Sequence, residues 1–232
     1  MIITVAHQKG GTGKSTIATN IASFLGADIL DLDKQHSSTI WNHVRGLTKQ
    51  DGGANKERLR LVTLKNSRCE LDSQTALPDN SLDDFLNAYK EDPEALLVVD
   101  TGGFDSVTNR KVIAMANIVL TPVAPSGIEI FGLQMFEKTL LEAKKIIGKT
   151  IPCYVVLNNI NTSSKLRLED VLNFIKGKDT FNLMKQRLSR RIAYQKAYEE
   201  GKNVIELSAR SKAAEEIIDL VTEIKRILRK ND

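Results

Sequence analysis

Ten residues constrain this chain more than any others: HQKGGTGKST, residues 7–16. An apolar run, MIITVAH (1–7), precedes them and reads as a buried strand. The pattern KSTIATNIASFL (14–25) follows, with apolar side chains at helical spacing. A glycine-rich turn between a strand and a helix is the setting of a phosphate-binding P-loop, G-x-x-x-x-G-K-[ST]. Gly13, Lys14 and Ser15 fit its end, but Gln8 stands where the opening glycine belongs, and a second lysine, Lys9, follows it. Backbone N–H groups in such a turn converge on phosphate oxygens, and the helix start adds the favourable end of its dipole. Gly10, Gly11 and Gly13 allow close approach, and Thr12 and Thr16 complete the loop. Lys14 is expected on the β- and γ-phosphates and Ser15 on Mg²⁺.

Strand and helix patterns then alternate. Further strands are expected over 27–33, 58–64, 95–100, 117–123 and 151–158. Helices are expected over 37–47, 81–91, 128–147, 164–176, 186–200 and 210–230, with 65–80 as loop. Alternation of this kind predicts an α/β fold: one doubly wound, mostly parallel sheet flanked by helices, in one domain over 1–232. Ligands in such sheets bind at the C-terminal strand ends. His7, Asp31–Asp33, Asp100 and the 121–127 loop all fall there.

The acids at those ends suit a metal–phosphate site. Asp100 closes the apolar run ALLVVD and is placed to hold Mg²⁺, through water. The TGG after it is a flexible loop able to meet a γ-phosphate with a backbone N–H. Asp31 and Asp33 lie two apart on an extended segment and point the same way. Asp31 is assigned to the metal and Asp33 to the attacking water.

Composition excludes several classes. With 41% hydrophobic and 27% charged residues, the chain can bury a core. Two cysteines in unrelated contexts, Cys69 and Cys153, argue against a disulfide framework or zinc site. No signal peptide and no apolar stretch of about 18 residues is visible, so a cytoplasmic protein is expected, without a membrane span. Residues 181–232 carry the whole net charge of +4. Lys185, Arg187, Arg190 and Arg191 cluster there, and Arg187, Arg190 and Arg191 would share one helical face suited to phosphate contacts with DNA.

QKGGTGKST, DLDKQ with Trp41 and Arg45 after it, VVDTGG, TPVAPSGIEI and RRIAYQKAYEEGKNVIE together resemble the ParA family of partition ATPases, with its deviant Walker A motif. The likeness runs along nearly the whole chain. It implies that Lys9 is the family's signature lysine, which reaches phosphates bound by the other subunit of an ATP-dependent homodimer. It places Pro122, Pro125 and Asn158 beside adenine, and the lack of an N-K-x-D motif favours ATP over GTP. It further implies nonspecific binding of nucleoid DNA and a small centromere-binding adaptor as partner. The P-loop begins within eight residues of the start, leaving no room for the N-terminal DNA-binding extension of larger relatives. DTGG departs from the family's usual D-x-P. The competing reading is a MinD-like membrane-associated positioning ATPase, which would use the amphipathic segment 213–230 as a membrane tail. That segment's wide apolar stripe instead predicts packing against the domain. A metabolic ligase of the same P-loop group is a third reading, with no substrate pocket apparent in the sequence.

Overall fold

The computed structural model describes residues 1–47, 57–65, 76–161 and 165–231. At its centre lies an eight-stranded sheet: β1 (Ile2–Val5), β2 (Asp28–Leu32), β3 (Leu61–Leu64), β4 (Ala76–Leu77), β5 (Leu97–Thr101), β6 (Ile118–Val123), β7 (Cys153–Ile160) and β8 (Phe181–Ser189). The order is β4-β3-β2-β5-β1-β6-β7-β8, and every described pairing is parallel. Strand β1 sits between β5 and β6, where the winding reverses, so its C-terminal end opens into the crevice used by ligands in this topology.

Nine described helices cover the sheet: α1 (Lys14–Leu25), α2 (Ser37–Leu47), α3 (Leu82–Glu91), α4 (Val107–Met115), α5 (Gly127–Ile147), α6 (Lys165–Lys176), α7 (Ile192–Glu199), α8 (Val204–Leu207) and α9 (Lys212–Asn231). The period-two geometry of the strands decides which face each side chain serves. From β1, Ile3 and Val5 join Ile17 and Ile21 of α1, Trp41 of α2 and Ile217 and Ile224 of α9. Ile2 points the other way, toward Leu86 of α3 and Val112 of α4. On that second face, Val119 and Val155 meet Leu133 and Phe136 of α5 and Val171 of α6. Each such buried aliphatic side chain contributes about 1.5–3 kcal/mol of transfer free energy. Strands apolar on both faces are what a sheet sandwiched between helix layers requires.

Helix α1 is bounded by two glycines in the left-handed region. Gly13 (φ 95°) precedes it, and Gly26 (φ 65°) ends it, donating its N–H to the Ala22 carbonyl. Cys153 is buried in β7, where desolvation pushes its thiol pKa well up; Cys69 lies outside the described residues.

The structure corrects the sequence reading in four places. Strand β4 and a 3-10 turn (Asp79–Ser81) occupy part of the expected 65–80 loop, of which 66–75 lie outside the described residues. Helix α4 has no counterpart among the expected elements; Ser106 caps it by accepting the Asn109 N–H at 3.0 Å. The short helix α8 opens with an Asn203–Glu206 capping box. Most consequentially, residues 181–189 form strand β8, so the helix expected over 186–200 begins only at Ile192. Arg187 therefore lies on a strand, Arg190 and Arg191 lie between β8 and α7, and the expected three-arginine helical face does not exist.

Candidate nucleotide site

The ends of β1, β2 and β5 converge on one cleft of about 540 Å³. Gly10, Gly11, Gly13, Lys14, Ser15 and Thr16 form one wall, Asp33, Gln35 and Ser37 a second, and Gly103, Phe104 and Tyr198 the rest. The P-loop, the loop after β2 and the loop after β5 thus meet where the sequence placed them.

The two lysines of the P-loop face different surroundings. Lys14 is buried, and its ammonium donates to the Lys9 carbonyl at 3.0 Å. Burial lowers its pKa, opposed by the nearby charges of Asp100, Asp33 and Glu129. The side chain of Lys9, which adjoins the cleft-lining Gly10, is one-third exposed and pairs with Glu129, a buried residue in the first turn of α5. His7 links the two segments. Its Nδ1 accepts the Lys9 N–H at 3.0 Å, which places the ring proton on Nε2, 3.9 Å from Glu129 Oε2. Desolvation, followed by Lys14 and Lys9, drives the His7 pKa down to about 3, so the ring is neutral.

Asp31 and Asp100 are register partners on β2 and β5, and both are fully buried. Asp31 accepts from Thr39 N (2.9 Å), Thr39 Oγ1 (2.7 Å) and Asp33 N (3.0 Å), which fixes the chain as it leaves β2. Asp100 accepts from Ser38 Oγ at 2.7 Å through Oδ2, whereas its Oδ1 is buried without a hydrogen-bond partner. Burial, and then the charge of Asp31, pushes the Asp100 pKa up; Ser38, Ser15 and Lys14 oppose the rise. An orphaned carboxylate oxygen close to the Ser15 hydroxyl is a hard-oxygen donor set of the kind that suits Mg²⁺. Asp33, half-exposed on the cleft wall, accepts the Gln35 N–H at 3.1 Å.

Other expected contacts are placed differently. Asn158 Nδ2 donates to the Thr12 carbonyl at 2.8 Å and lies against Gly13, so it braces the P-loop. Pro122 is inside β6 opposite Val156 and buried, and Pro125 is buried beyond the strand; neither belongs to the cleft lining. Lys185, Arg187 and Arg190 are exposed, but Arg191 is tied to Glu216 of α9 through Nε (3.1 Å) and Nη2 (2.8 Å).

Spacing offered no sign of Ser38, Glu129, Phe104 or Tyr198. Tyr198 reaches the cleft because α7 packs on α2, its hydroxyl donating to the Ser37 carbonyl at 2.6 Å. The same joint explains two stretches of the sequence, Trp41 with Arg45 and the segment around Gly201. Arg45 forks onto Glu206 (2.7 and 2.8 Å) and donates to the Gly201 carbonyl (3.1 Å), while Trp41 Nε1 donates to the Lys202 carbonyl (3.2 Å). Gly201 has φ 61°, and a Cβ there would strike the Arg45 backbone.

A phosphate-cradling turn at the switch point of a parallel sheet, with strand-end acids beside it, defines a P-loop nucleotide-binding protein. Residues 1–147 match the family ATPase MipZ, and the chain belongs to that family of ATPases. Among curated relatives, it is 25% identical over 250 residues to a virulence plasmid ParA family protein of Chlamydia trachomatis, covering 95% of this chain and 92% of that one. Among solved structures, it is similar to the MinC:MinD cell division complex of Aquifex aeolicus (TM-score 0.71, 16% identity, 97% and 95% of the two chains). It is also similar to a protein described as a plasmid partition protein of Borrelia burgdorferi B31, bound to AMPPNP (TM-score 0.64, 17% identity, 100% and 99%). The two structural likenesses carry the fold; with the family match they place the chain in the ParA/MinD superfamily of ATPases.

Proposed function

We propose that this ATPase is an ATP-dependent dimerisation switch that partitions plasmid or chromosomal DNA, binding DNA without sequence preference and acting with a small centromere-binding adaptor. The observation that carries this reading is the division of labour between Lys14 and Lys9. Lys14 is buried against the phosphate cradle; Lys9, from the same loop, is one-third exposed with its ammonium on Glu129. A part-exposed cation that can exchange a carboxylate for a second subunit's phosphates makes dimerisation depend on bound ATP. In this reading Lys14 holds the β- and γ-phosphates, the amides of residues 10–16 cradle them, and Asp33 orients the attacking water. Ser15 and Asp100 hold Mg²⁺; Asp31, also assigned to the metal from the sequence, faces Asp100 across the β2–β5 ladder with both oxygens taken by Thr39 and the Asp33 N–H. Bound Mg²⁺ would neutralise phosphate charge.

Two further points favour DNA over a membrane as the surface bound. The stripe of α9 is already spent on the core: Ile217, Val221 and Ile224 are essentially inaccessible, and Leu228 is 6% exposed. The likeness to a plasmid-encoded ParA family protein leans the same way. Co-sedimentation with DNA and, separately, with anionic liposomes, each with ATP, ADP or no nucleotide, tests the proposal. ATP-dependent, salt-sensitive DNA pelleting is expected; liposome pelleting without DNA pelleting would overturn it.

A further inference from the structure

The ladder between β2 and β5 ends at the pair Leu32–Thr101. The chains beyond it, DKQ on one side and GGF on the other, carry Asp33 and the glycines that border the cleft. A side-chain contact takes over where the backbone pairing stops: the Lys34 ammonium lies over the Phe104 ring, 4.8 Å from its centroid. Phe104 is anchored from the other side. Its carbonyl accepts the amide of the buried Asn109 at 2.7 Å, and its ring rests against Gly102, where any Cβ would collide with it. Gly103 in turn packs on the P-loop, since a Cβ there would sit 2.8 Å from Gly10 N. The three loops that surround the phosphate space are therefore stacked in order: P-loop, Gly102–Phe104, Lys34.

Phe104 keeps 37% of its surface exposed. An aromatic ring left partly in solvent on the wall of a polar cleft contributes little as core. Its open face gives an ammonium an attractive site. Lys34 is the residue next to Asp33, so holding Lys34 restrains the carboxylate beside it.

We propose that Phe104 and Lys34 are a positioning pair for ATP hydrolysis. Neither touches the reacting atoms; together they hold Asp33 in register with the Gly102–Gly103 backbone, so that water and γ-phosphate are presented at a fixed separation. The inference rests on the assignment of Asp33 to the water. It also accounts for DTGGF: two successive glycines are what allow the ring to fold back and the loop to lie on the P-loop.

A double-mutant cycle on steady-state hydrolysis over a range of Mg-ATP concentrations tests the pair. Phe104→Leu keeps the apolar volume and removes the π face; Lys34→Met keeps the stem and removes the charge. Each is expected to lower kcat about two- to fivefold with KM unchanged, the double variant to be no slower than either single one, and Phe104→Trp to restore the rate. Multiplicative losses, or a Phe104→Leu protein at the wild-type rate, would overturn the pair. Asp33→Ala run beside them separates the two ideas. If it turns over like wild type, the assignment of Asp33 fails and the pair with it; if it is slow while Phe104→Leu is not, only the pair fails.

Discussion

Asp31 and Asp100 stand directly opposite each other on adjacent strands, both without solvent contact, and only Asp31 has hydrogen bonds to both of its oxygens. Two buried carboxylates so placed do not both ionise at low cost unless a cation shares the site. A proton retained on Asp100 meets that cost in part, and the nearby Lys14 ammonium opposes it.

Asp100→Asn should raise the stability of the nucleotide-free protein by about 1–2 kcal/mol, roughly 2–8 °C in Tm, and abolish hydrolysis. The sign follows from linkage. Asp100 is pushed up from 3.8 to about 7, so the folded state keeps a proton that the unfolded chain releases. Wild-type stability should fall as pH rises across that window, and the variant should lose most of that slope. Thermal melts from pH 4 to 7.5, with and without Mg-ATP, check both statements; an unchanged slope would assign the pH dependence elsewhere.

Lys14→Ala should weaken ATP binding by about 10- to 100-fold, the range expected for one charge-assisted hydrogen bond. Calorimetric titration reads it directly. Wild-type affinity would remove the phosphate role of this loop.

Lys9→Ala should bind ATP as a monomer and fail to form the ATP-dependent dimer. Because the change strands the buried Glu129, the companion Lys9→Ala/Glu129→Gln protein separates a folding defect from the absence of the lysine at the dimer interface. Light scattering with and without ATP decides. An ATP-induced dimer in the double variant would leave Lys9 with only its intrachain role.

The basic residues near β8 should divide into two classes. Lys185→Glu/Arg187→Glu should preserve stability and lower the salt slope of DNA binding by about 0.9 for each phosphate no longer neutralised. Arg191→Glu should instead cost about 1–3 kcal/mol of stability, since it sets a carboxylate against Glu216. Urea melts beside DNA titrations distinguish them; equal effects of both substitutions on DNA binding would refute the division.

The P-loop, the strand-end acids and the parallel sense of the sheet were legible because each depends on local pattern: glycine spacing, unbroken apolar runs alternating with helices, an acid where a run stops. The stretch from β8 to α8 was not, and β8 shows why. Its buried residues are Phe181, Met184 and Leu188, a spacing of three and four that imitates a helix. The imitation arises because the β7–β8 ladder slips. Val155 pairs with Leu183 but Leu157 with Arg187, so extra residues bulge from β8 and period two is lost. The freed N–H groups of Lys185 and Gln186 are met by Glu223 of α9, at 2.9 Å each. Nothing near position 185 encodes a partner 38 residues away.

The site divides along the same line. Lys14 and Ser15 could be proposed from the P-loop spacing and Asp33 and Asp100 from acids at strand ends, whereas Lys9 was proposed only from the resemblance to the ParA family. Which of them is buried, paired or open was decided by packing. Helix α5 brings Glu129 to Lys9, α7 brings Tyr198 to the cleft, and β7 brings the Asn158 amide onto the Thr12 carbonyl of the P-loop. Such contacts join elements far apart in sequence, and their geometry exists only once the sheet has assembled and each buried polar group has found, or failed to find, a partner.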